Sequence, residues 1–107
     1  MDPRITIALH VLDSSYNCQL KVTEVSKDLR LSRSHFERLF RRDTGRTFKA
    51  ALQELRLCKA LEFLKDPTMQ VKEAAFLCGY KSAPTFTRNF KRRFGTAPSE
   101  LRRSTSR

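Results

Sequence analysis

No apolar run in the 107 residues approaches the roughly 18 that a membrane span needs, and the opening stretch to Leu12 is interrupted by Asp2, Arg4 and His10. Neither a signal peptide nor a transmembrane anchor is expected there, and the expected location is the cytoplasm. Cysteine is scarce. Cys18, Cys58 and Cys78 stand 40 and 20 residues apart, an odd number without the close pairs that zinc and redox motifs use. Cys58 and Cys78 fall at apolar positions of helical patterns, where a thiol serves as a small buried hydrophobe. The two histidines, His10 and His35, are far apart, no glycine-rich phosphate loop occurs, and no paired carboxylates share a predicted helix face. That excludes the usual catalytic arrangements, so no enzyme, no metal and no cofactor is expected.

Acidic residues are missing from two segments in particular. The chain carries a net charge of +11. Residues 30 to 49 hold seven basic and two acidic side chains, residues 81 to 107 hold eight and one, and the remaining 60 residues come to a net of −1. A basic excess confined to two surfaces is the footprint of a polyanion. With 39% apolar and 31% charged residues, the chain has the composition of a folded protein rather than of a disordered tail.

Compared with itself, the chain repeats. Ser32, Phe36, Arg38, Phe40, Arg42 and Gly45 return fifty residues later as Ser82, Phe86, Arg88, Phe90, Arg92 and Gly95. Ahead of each set lies a short apolar pattern with the spacing of one helical face: Val22, Val25, Ser26 and Leu29, then Val71, Ala74, Ala75 and Cys78. There the offset is 49, which places one extra residue in the second turn, at Lys81. Gly79 can supply the left-handed residue that ends a helix, Ser82 can cap the next one, and Pro84 is tolerated in a first turn. The pattern predicts helix, tight turn, helix, twice. At about 100° per residue, Phe36, Leu39 and Phe40 share one side of the second helix while Ser34, Arg38 and Arg41 lie opposite. In the later copy Phe86, Phe90 and Phe94 oppose Pro84, Arg88, Lys91 and Arg92.

From Thr47 to Lys65 the chain has neither glycine nor proline and reads as one long helix ended by Asp66 and Pro67. Its apolar stripe changes sides, from Phe48, Ala51, Leu52, Leu55 and Cys58 to Leu57, Ala60, Leu61, Phe63 and Leu64. A helix packed on one core keeps one stripe, so two cores are expected. The organisation read from the sequence is all-α: a first helix-turn-helix subdomain over residues 1–46, a linker helix over 47–65 and a second subdomain over 66–107.

At this point the chain closely resembles the DNA-binding domain of AraC/XylS-type bacterial regulators, from about residue 5 to Arg103. Val71, Ala75, Gly79, Tyr80, Ser82, Phe86, Arg88, Phe90, Lys91, Phe94, Gly95 and Pro98 stand at that family's signature spacing, and Arg56, Leu57, Ala60 and Leu64 resemble its connecting helix. The resemblance implies seven helices, two recognition helices in successive major grooves of double-stranded DNA, and control of transcription, in the sense of activation, through RNA polymerase. It implies a place on the cytoplasmic nucleoid, and the module is expected to be monomeric in isolation. The chain departs from the family pattern at Arg30, where the first unit commonly has Gly, so that turn is either less tight or uses Arg30 on a phosphate. Ala51 and Leu101 replace frequent tyrosines, which reads as core variation. Ala83 and Pro84 stand where polar base-reading side chains are usual.

Donors and acceptors near the start of a recognition helix read base edges. The base-reading candidates are therefore Ser34, Glu37 and Arg38 in the first unit and Pro84, Thr85 and Arg88 in the second. Either arginine suits guanine, Glu37 can accept from cytosine, Thr85 can offer its methyl to thymine, and Pro84 is limited to apolar contact. Arg41, Arg42, Lys91 and Arg92 lie further along and are assigned to phosphates, with Arg33, Arg46, Lys81, Arg102 and Arg103 as additional phosphate candidates. His10 and His35 are read as structural or merely exposed. The rival reading is a sequence-indifferent DNA-coating protein, which needs the basic faces but not two matched turns. An RNA binder would present stacking aromatics on a basic face, whereas these phenylalanines point inward. No segment resembles an effector pocket or a dimerisation arm, so the chain is expected to be a small stand-alone regulator or the C-terminal part of a longer one.

Overall fold

In a computed structural model, residues 1–105 are described and form seven helices, with no strand among them. The helices are α1 (Pro3–Ser15), α2 (Val22–Asp28), α3 (Arg33–Thr44), α4 (Phe48–Phe63), α5 (Val71–Leu77), α6 (Ala83–Phe94) and α7 (Pro98–Thr105). By packing, the chain divides into two compact units, Met1–Leu55 and Arg56–Arg107, with the boundary inside α4.

In the first unit, Asp2 caps α1 by accepting the Arg4 amide at 2.8 Å, with Pro3 in the first helical turn, where its missing N–H costs nothing. Ile5, Ala8 and Leu12 of α1, Val25 of α2, Phe36, Leu39 and Phe40 of α3, and Phe48 and Leu52 of α4 form the core. The rings of Phe36, Phe40 and Phe48 meet pairwise at 5.5 to 5.8 Å, tilted or edge-on, the geometry that brings a ring's positive edge to its neighbour's negative face.

The second unit repeats this plan with different chain segments. Leu57, Ala60 and Leu64 from the α4 end of the unit, Ala74, Ala75, Cys78 and Tyr80 from α5 and its turn, and Phe86 and Phe90 of α6 form its core. Leu57, Ala60 and Leu64 have the spacing of Ile5, Ala8 and Leu12, so the later part of α4 serves this unit as α1 serves the first. Pro98, which opens α7, is fully buried and corresponds to Phe48, which opens α4. Ala51 and Leu101 each pack, partly buried, against their own core. Cys58, expected as a buried hydrophobe on the first face, is only half-buried, whereas Cys78 is enclosed. The switch of stripe leaves position 58 between the two apolar faces.

The two turns close identically. In the first, the Arg30 amide donates to the Lys27 carbonyl (3.0 Å) and the Leu31 amide to Ser26 (2.9 Å); in the second, Gly79 donates to Phe76 (3.0 Å) and Tyr80 to Ala75 (3.1 Å). Both have a left-handed residue, Arg30 at φ 59° and Gly79 at φ 95°. The first turn is therefore as tight as the second, although an L side chain in this conformation costs about 1–2 kcal/mol.

Candidate nucleic-acid interface

The helices α3 and α6 are framed by the same pair of signals, a serine start and a glycine stop. Ser32 accepts the His35 amide at 3.1 Å to start α3, and Ser82 accepts the Thr85 amide at 3.4 Å to start α6. At the far ends, Gly45 and Gly95 adopt φ 80° and 81° and donate to the carbonyls of Arg41 and Lys91. A side chain there would force a residue into the left-handed region, which glycine occupies without penalty. Between start and stop, buried phenylalanines fix each helix's roll, and the opposite side faces solvent.

On α3 the exposed side carries Ser34, Glu37, Arg38 and Arg41 in one stripe, with His35 and Arg42 beside it. Arg33, in the first helical position, is not independent of the stripe: its Nε donates to Glu37 Oε1 at 3.4 Å across one turn, with both side chains largely exposed. The phosphate candidate and the base-reading candidate are thus tied to each other. Arg42 is held as well. Its Nε donates to Asp43 Oδ1 at 2.9 Å, and Asp43 Oδ2 accepts the backbone amide of Asp2, also at 2.9 Å. Arg46 lies exposed just beyond the Gly45 stop.

On α6 Pro84, Arg88, Lys91 and Arg92 are exposed, and Lys81 is exposed in the turn before them. Thr85 is half-buried, and its hydroxyl lies 3.3 Å from Ser82 Oγ. Only part of Thr85 can therefore reach outward. Arg93, in the position corresponding to Asp43, lies over the Phe94 ring at 4.9 Å. Arg103 is exposed, but Arg102 is turned inward: its Nη2 donates to the carbonyls of Asp66 at 2.9 Å and Leu64 at 3.4 Å. Those carbonyls follow the end of α4, where the Asp66 carbonyl also accepts the Met69 amide at 3.1 Å, so Arg102 ties down this turn and serves the fold rather than the basic face.

A model of a helix-turn-helix domain matches residues 25–104. Over 101 residues the chain is 32% identical to the xylose operon regulatory protein of Escherichia coli K12, covering 94% of this chain and 26% of that protein. This is a member of the AraC-type helix-turn-helix family. The AraC-type chain is also 29% identical, over 93 residues, to the msm operon regulatory protein of Streptococcus mutans, covering 87% of this chain and 34% of that one. It spans about a quarter to a third of the length of these relatives. Among solved structures, the DNA-binding domain of the global transcriptional factor AdpA, in complex with a target DNA, superposes with a TM-score of 0.85 at 27% identity, over 97% of this chain and 93% of that one. The family is one of DNA-binding transcriptional regulators, not of enzymes, and this favours the regulator reading over the sequence-indifferent coating protein. No helix among the described residues is long and apolar enough to cross a membrane.

The sequence did not reveal the Asp2 amide that holds Asp43 behind Arg42, because the two are 41 residues apart. The Arg33–Glu37 pair carried a signal, its i,i+4 spacing.

Proposed function

We propose that this AraC-type chain is the DNA-reading part of a bacterial transcription activator that places α3 and α6 in successive major grooves. The observation that carries the reading is the matched pair of helices, each started by a serine, stopped by a left-handed glycine, backed by buried phenylalanines and exposing an arginine at the same position, Arg38 and Arg88. Ser34, Glu37, Arg38, Pro84, Arg88 and the methyl of Thr85 read base edges, while Arg33, Arg41, Arg42, Arg46, Lys81, Lys91 and Arg92 neutralise phosphates. The subdomains 1–46 and 66–107, joined by 47–65, act as tethered readers. Once one is bound, the other is held at high effective concentration. Activation proceeds by contact with RNA polymerase at the nucleoid, in keeping with the relatives that are operon regulators.

Selection of preferred sites from a randomised duplex pool, followed by binding titrations, tests this reading. Arg38→Ala is expected to cost about 1–3 kcal/mol on the preferred site and to relax one base position, whereas Arg42→Ala weakens all sequences about equally. Affinity should fall with salt with a log–log slope of about −0.9 per phosphate contacted. A slope near zero, or recovery of no preferred sequence, would overturn the proposal.

A further inference from the structure

Arg30 occupies a conformation that its side chain disfavours. It is the one non-glycine residue with positive φ among the described residues, and the equivalent position in the second unit is Gly79. The two turns close through the same pair of backbone hydrogen bonds, so glycine would suffice for the geometry in either. The Arg30 side chain is exposed, and no hydrogen bond, ion pair or ring contact ties it to another described residue. No polar or ring contact of the side chain offsets the backbone strain it imposes. Strained residues that the fold does not use are concentrated at binding sites.

Its position suggests the ligand. Arg30 opens the first basic segment and lies three residues before Arg33, at the start of α3. In the reading proposed above, that end of the helix enters the groove, and its entrance is flanked by the sugar–phosphate backbone. A guanidinium at that entrance meets phosphodiester oxygens, which it can grip with two parallel N–H donors.

We infer that Arg30 is a DNA phosphate contact of the first helix-turn-helix, held in a left-handed turn at a cost to the fold and without counterpart in the second. The inference rests on the DNA-reading function proposed above. The test uses the whole chain on its selected duplex, comparing wild type with Arg30→Gly and Arg30→Lys. Arg30→Gly should melt no lower than wild type, bind all sequences more weakly, and have a log–log salt slope shallower by about 0.9, the loss of one phosphate. Arg30→Lys, which keeps the charge, should keep the slope. An unchanged slope and affinity in Arg30→Gly, beside a steep wild-type slope, would overturn the inference and leave the DNA-reading function standing. A lower melting point for Arg30→Gly would show that the side chain serves the fold, and would overturn it too. Failure of the wild type to bind duplex would overturn the parent reading.

Discussion

Asp2 accepts the Arg4 guanidinium and the Arg4 amide, and these hydrogen bonds hold its carboxyl at about 2, below its ordinary 3.8. Asp43 is lowered as well, first by the Arg42 guanidinium and then by the Asp2 amide. A carboxylate whose pKa is lower when folded contributes stability that is fully present above its ordinary value and is lost as pH falls through the folded one. The first unit is therefore expected to weaken between about pH 4 and pH 2, and Asp2→Asn should flatten that loss in thermal melts across the range. Cys78 behaves oppositely to a reactive thiol, since burial pushes it up to about 11. At pH 8 a thiol reagent should label exposed Cys18 quickly and Cys78 only as fast as the second unit unfolds. Rapid labelling of Cys78 in the folded protein would show that its site opens locally.

Among the elements, α4 contributes to two cores in succession. Leu52 is buried in the first and Leu57 in the second, and Leu55 and Leu61 pack less deeply against the same two. Leu52→Ala should loosen the first unit and Leu57→Ala the second, each by about 2–5 kcal/mol for a buried leucine. Hydrogen exchange would then show lost protection across residues 22 to 42 in one variant and 71 to 94 in the other. Equal loss throughout in both would mean a single cooperative core. Arg102→Ala should loosen the second unit by leaving the Leu64 and Asp66 carbonyls without this donor, by about 1 kcal/mol for a lost hydrogen bond. Lysine, whose ammonium lacks the guanidinium's fork, should restore only part of that.

At the scale of the whole molecule, a net charge of +11 on 107 residues sets copies of the chain against one another. Self-repulsion of this kind keeps a protein soluble and monomeric, and sedimentation at moderate salt is expected to give a single species near 12.5 kDa. A dimer at micromolar concentration would contradict the monomeric reading. The charge that separates copies also attracts duplex DNA, and raising salt should weaken that attraction without unfolding either core, because the cores are apolar.

What the sequence determined by itself is local and periodic. Phe36, Phe40, Phe86 and Phe90 reveal the dry sides of two helices, Ser32 and Ser82 their starts, and Gly45 and Gly95 their stops, because caps and faces depend on residues only three or four positions away. The switch of stripe along α4 was legible for the same reason, and both of its faces are found in separate cores. Tertiary structure alone decided which segments complete those cores. It placed α1 and the later part of α4 in the same role, gave Arg42 to Asp43 and Asp43 to Asp2, and turned Arg102 inward to the carbonyls beyond α4. Apart from Arg42 and Asp43, which are neighbours in the chain, these contacts join residues far apart, and many pairings satisfy the same charges and faces on paper. Only the packing of helices around each core, in which each buried polar group must meet a partner, selects among them.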